Sequence, residues 1–157
     1  MKKTGDYLGS PADLDGVVSV TPQPVAGAAI GIIAVNLVYP KLPGNVANAS
    51  TLPLPVAYEV IDLAIEQFFE ADPGAVDQIV QAAKRLEARG VRAIVGACGY
   101  FANFQTQVQA AVRVPVLLSS LAQLPLIKTS LRADQRIAVL VADIQGATPE
   151  LLANVNA

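Results

Sequence analysis

Residues 28–35 read AAIGIIAV, an unbroken apolar run of strand length. A strand with one wet face alternates apolar and polar side chains. A run without that alternation describes a strand covered on both faces, the kind found in parallel sheets. VRAIVGA (91–97) and RIAVLVA (136–142) have the same character, and VPVLLSS (114–120) is a further strand candidate. LPLPVAYEVI (52–61) is another, with Pro53 and Pro55 limiting pairing at its start. NLVYPKLPGNVANAS (36–50) reads as a loop on its Pro, Gly and Asn content.

Helical patterns alternate with these runs. In residues 71–90, Asp72 is placed as N-cap and Pro73 as the first helical residue. Val76, Ile79, Val80, Ala83 and Leu86 then recur at helical spacing, and Gly90 stops the helix. Phe101, Phe104, Val108, Ala111 and Val112 space as a second helix, the two Phe as core rather than site. Residues 121–131 predict a short helix broken or kinked near Pro125, and Thr148-Pro149 opens a last one over 148–155. This order predicts an α/β fold, a three-layer sandwich around a mostly parallel sheet. Residues 1–27 read as an irregular lead-in, 28–132 as one α/β domain, and 133–157 as the start of a second. The last strand and helix have no following strand to cross over to, so the chain is expected to be truncated or completed by another chain.

Composition narrows the chemistry. The chain has 157 residues, 53% of them apolar and 15% charged, with a net charge of −2. That is more apolar and less charged than the usual soluble domain, as expected of strands buried on both faces. No basic stripe exists to suit nucleic acid. There is one cysteine and no histidine, which removes an internal disulfide, Ser-His-Asp and Cys-His catalysis within the chain, and the usual zinc ligands. No metal is expected. MKK at the start is followed by TGDYLGSPADLDG rather than an apolar core, so it does not read as a signal peptide. The longest apolar stretch, 25–35, is shorter than the roughly 20 residues a membrane-spanning helix needs. No membrane partner is therefore expected, and a cytoplasmic protein is. GNVANAS lacks the Lys and the spacing of a P-loop.

In an open parallel sheet, ligands gather beyond the C-terminal ends of the strands. The strand patterns deliver Asn36, Cys98-Gly99-Tyr100 and Ser119-Ser120 to that edge. Cys98 has two readings there. It is either a small buried hydrophobe, the usual fate of a free cysteine, or a thiolate beside a helix N-terminus. Gly99 leaves room for a ligand to approach the backbone. Ser119 and Ser120 are either simple caps or ligand contacts.

LEARGVRAIVGACGYFANFQTQVQAAVRVPVLLSSLAQLPLI (86–127) resembles the aspartate/glutamate/hydantoin racemase superfamily, in which one strand ends in a reactive Cys and a later one in Ser or Thr. YPKLPGNVANASTLPLPV (39–56) resembles a loop of one branch of it, and RIAVLVADIQGATPELL (136–152) the opening of its second domain. The resemblance implies a cofactor-independent isomerase of two α/β domains, the first here being 28–132, acting on a small carboxylic acid by cysteine-mediated proton transfer. It makes Cys98 the catalytic acid/base. Gly99, Tyr100, Ser119 and Ser120, with Asn36 and Asn48, become the substrate-binding set. The second cysteine it calls for is expected beyond Ala157, and a homodimer is the expected assembly. The sequence departs from the pattern at Asn36-Leu37, where Asp-Thr is common, and at Gly99-Tyr100, where the well-studied racemases carry Asn-Thr. Two alternatives follow. One is a non-catalytic module that binds small carboxylates, and the other is a one-cysteine decarboxylase or isomerase.

Overall fold

The computed structural model describes Lys3–Thr4, Val18–Ser19 and residues 23–157. Lys3–Thr4 (β1) and Val18–Ser19 (β2) pair in parallel as a small two-stranded sheet, which the expected irregular lead-in did not include. The rest of that lead-in up to residue 22 lies outside the described residues, and residues 23–29 carry no regular structure.

The main sheet is built from Ile30–Val35 (β3), Val56–Ile61 (β4), Ala93–Gly96 (β5) and Val116–Leu117 (β6). It is parallel throughout, in the order β4-β3-β5-β6. The apolar run over 28–35 thus supplies an interior strand, hydrogen-bonded on both edges. Five of its six residues are buried. The α/β sandwich with a parallel sheet is the architecture the alternating pattern predicts.

Helices fill the crossovers. Asp72 accepts a hydrogen bond from the Gly74 N–H at 2.8 Å, and Pro73 opens a single 3-10 turn. The helix α2 then runs over Val76–Ala88, after the one-turn helix α1 over Ile65–Phe69. Ile79, Ala82, Ala83 and Leu86 form its buried stripe, and Gly90 ends it at φ +78. α1 had no sequence signal because five residues cannot display a helical period. It contributes Phe68, whose ring meets Phe101 and Phe104 edge-on at 4.8 and 5.8 Å, fully inside the core. On the opposite sheet face, the 36–55 segment lies over Ile30, Val95 and Leu117, tied down where the Tyr58 hydroxyl donates to the Val46 carbonyl at 3.1 Å.

Gln105–Ala111 (α3) follows a 3-10 turn over Gly99–Phe104 and carries the clip that holds the short β6. The buried Gln105 amide donates to the Val116 carbonyl at 2.8 Å and accepts from the Leu118 N–H at 2.9 Å. Leu124–Thr129 (α4) starts after a 3-10 turn, with Pro125 in its first turn, so the break predicted near Pro125 becomes a helix start. Thr148 caps Pro149–Ala153 (α5), its hydroxyl accepting from Leu151 N–H at 3.2 Å.

One expected element is corrected. Residues 136–142 form no strand. The run is apolar enough, but a strand exists only where a neighbour supplies a ladder, and none of the described strands pairs with it. It leaves Leu140 98% exposed. The run crosses the C-terminal end of the sheet instead, while Leu151 and Val155 beyond it join the core shared with Phe101.

Candidate active site

The chain leaves β3 for the outer strand β4, then returns through α1 and α2 to β5 on the other side of β3. Strand order therefore reverses between β3 and β5. Loops leaving the two strands diverge there and open a crevice beyond their C-terminal ends, the usual ligand site of such sheets. Cys98 stands at that point. The ladder continues one residue past β5, with the Ala97 N–H donating to the Ile33 carbonyl at 2.9 Å. Cys98 is the extended residue that follows, at φ −146, and the 3-10 turn begins directly after it.

The approach to Cys98 is fixed from beneath by Gly96. A Cβ on Gly96 would lie 2.1 Å from the Leu118 carbonyl oxygen and 2.9 Å from the Phe101 ring, so no side chain fits. Gly99 is the opposite case: it is exposed, and its Cβ position is open space.

Cys98 is partly buried. Burial pushes its thiol pKa up, while the N–H groups of Tyr100 and Phe101, directed at the sulfur, oppose that shift. The sulfur borders a cavity of about 670 Å³. Ala34 and Val35 at the end of β3, Ile65 and Phe69 of α1, and the 137–142 run form much of its wall. The Tyr100 hydroxyl pins the far end of that run, donating to the Asp143 carbonyl at 2.6 Å and accepting from its N–H at 2.8 Å. A second hollow of about 560 Å³ lies on the other side of Cys98, over β3, β5 and β6.

The sequence-predicted site residues divide. Cys98, Gly99, Tyr100 and Ser120 line the larger cavity together. Ser119 borders only the second hollow; it is buried, and its hydroxyl accepts from the Leu121 N–H at 3.2 Å as an N-cap. Tyr100 contributes a ring edge-on to Phe69 at 4.6 Å, its hydroxyl being committed to Asp143. Asn36 and Asn48 are not among the lining residues. The Asn36 amide donates to Asp62 at 2.6 Å, tying the end of β3 to the end of β4. Asn48 donates to the Lys41 carbonyl at 2.5 Å and accepts from Ser50, holding the 36–55 loop in shape.

Sequence reasoning missed Lys41 and Tyr39, both on the cavity wall. Lys41 is the sole Lys or Arg between Lys3 and Lys84, but no local pattern marks it as facing a cavity. No group of three or more His, Cys, Asp or Glu able to hold a metal occurs among the described residues. None of the described helices is long and apolar enough to cross a membrane.

Fold and site together define an α/β chain with a thiol in the switch-point crevice of a parallel sheet. Comparison with known proteins narrows this further. The chain is 30% identical over 142 residues to dimethylsulfoniopropionate lyase 7 of Emiliania huxleyi (strain CCMP1516), covering 88% of this chain and 40% of that protein. It is similarly 30% identical to dimethylsulfoniopropionate lyase 3 of the same organism, over 88% of this chain and 36% of that protein. Against the dimethylsulfoniopropionate lyase of Durusdinium sp. clade D, identity is 29% over 126 residues, covering 78% of this chain and 42% of that protein. The chain thus spans about two fifths of the length of these relatives. No protein-family model matches the chain, and no solved structure matches it.

These relatives correct the expectation of a racemase. They carry the name of a lyase, so the resemblance to the Asp/Glu/hydantoin racemases does not hold as an assignment, and the isomerase activity drawn from it falls with it. The reason is chemical. A thiol at a strand end does not by itself record which reaction class it serves.

Proposed function

We propose that this chain acts as a lyase on a small carboxylate with its one cysteine, Cys98, as the base. The observation that supports this most is the position of the chain's one thiol, in the switch-point crevice and on the wall of an apolar cavity, in a relative of proteins named dimethylsulfoniopropionate lyase. With dimethylsulfoniopropionate, the Cys98 thiolate takes a proton from the carbon next to the carboxylate. The electron pair of that C–H bond forms the carbon–carbon double bond, and the bond from the next carbon to sulfur breaks. Sulfur departs with the electron pair of the broken carbon–sulfur bond as neutral dimethyl sulfide, leaving acrylate, and the proton on Cys98 passes to solvent.

Developing negative charge next to the carboxylate needs donors nearby. Gly99 exposes its backbone, and the Ser120 hydroxyl reaches the same cavity. Burial holds the unliganded Cys98 as a thiol. A positively charged sulfonium brought beside it favours the thiolate, so the substrate itself promotes ionisation of the base. The raised thiol is also the observation that favours a second reading, a module that binds small carboxylates without turning them over.

Incubation with dimethylsulfoniopropionate separates the two. The lyase releases dimethyl sulfide and acrylate in equal amounts, and Cys98→Ala stops release while the fold, followed by circular dichroism, persists. Binding without release supports the module. Release that survives Cys98→Ala removes Cys98 from the mechanism.

A further inference from the structure

Among the described residues lining the Cys98 cavity, Lys41 is the one charged side chain. Its ammonium group is held in place: it donates to the Leu37 carbonyl at 2.5 Å and sits 4.1 Å from the centroid of the Tyr39 ring. The backbone beneath is fixed by the Asn48 amide on the Lys41 carbonyl at 2.5 Å, and the Tyr39 hydroxyl accepts from the Asn45 amide at 3.0 Å. An ammonium has three donors, and one is used here. Among the described residues no carboxylate lines the cavity to neutralise it, and the rest of the described wall is mostly aliphatic and aromatic.

From this we infer that Lys41 is the carboxylate anchor of the site and that it restricts the ligand to one carboxylate; the inference deepens the lyase reading and rests on it for the identity of the substrate. A single fixed cation in an apolar cavity pairs with one anion. A second carboxylate on the same ligand would find no further cation among the described lining residues. Monocarboxylates are therefore favoured over dicarboxylates. Asn48, a substrate contact in the racemase resemblance, is in this reading a positioning residue for the anchor.

The test is protection of Cys98 from iodoacetamide in the full chain, with propionate, propionamide and succinate as probes. Propionate is expected to slow alkylation, propionamide to leave it unchanged, and succinate to act more weakly than propionate. Lys41→Met should raise the propionate concentration needed for half protection about tenfold or more, the loss of one charge-assisted contact. Lys41→Arg should largely keep protection, which separates lost charge from lost folding. Equal protection by propionamide, equal or better protection by succinate, undiminished protection in Lys41→Met or no protection by propionate overturns the anchor. Dimethyl sulfide release is read in parallel. Lys41-dependent protection without release defeats the lyase reading and leaves the anchor standing. Release with the same KM in wild type and Lys41→Met defeats the anchor and leaves the lyase reading standing.

Discussion

At Cys98, burial and hydrogen bonding pull in opposite directions, and burial is the larger effect. Its alkylation rate should therefore still be rising at pH 9, where a free thiol with a pKa near 8.5 begins to level. The same shift has a stability consequence with a definite sign. The unfolded thiol ionises first, so stability is undiminished below about pH 8.5 and falls as pH rises through the higher native value. Cys98→Ala should remove that alkaline decline, as read by urea unfolding at pH 7 and pH 10. Gly96 is the second residue with a sharp expectation. Gly96→Ala drives a Cβ into the Leu118 carbonyl oxygen, and the cost should be about 3 kcal/mol in urea unfolding, as for severe overpacking. Cys98, Gly99 and Ser120 were legible because they follow apolar runs at the edge where such sheets bind ligands. Lys41 was not, since no local period marks a lysine in a loop as facing a cavity.

Among the elements, β6 depends most on a single side chain. It has only two ladder residues, and Gln105 supplies both a donor and an acceptor to its backbone. Gln105→Leu keeps the volume but strands the Val116 carbonyl and the Leu118 N–H inside the protein. The expected loss is about 2–4 kcal/mol in urea unfolding, well above that of an exposed substitution such as Gln107→Leu. The strands β3 and β5 and the helix α2 were readable because each shows its burial pattern within one continuous segment. The Gln105 clip was invisible because glutamine at a helix start has no periodic signature. The 136–142 run misled for the reverse reason: its apolar pattern is that of a strand, yet pairing depends on a neighbour that a local pattern cannot reveal. Here the run serves as cavity wall.

Across the whole molecule, the cavity is closed by segments far apart in sequence, and the Tyr100–Asp143 pair is what fastens the last of them. Tyr100→Phe removes that fastening while keeping the ring against Phe69. Amide hydrogen exchange over 137–143 should become faster, corresponding to about 1–2 kcal/mol of lost local stability, with little change in β3 or α2. The parallel architecture follows from hydrophobic patterning, and the crevice follows from strand order. A reaction class follows from neither: a thiol at a strand end does not by itself separate a racemase from a lyase. The most direct measurement is to titrate the chain with iodoacetamide and follow dimethyl sulfide release from dimethylsulfoniopropionate against the fraction of Cys98 alkylated. A one-cysteine lyase loses activity in proportion to alkylation and reaches zero when every Cys98 is blocked. Release that persists with Cys98 fully alkylated, or no release from the unmodified chain, contradicts the account.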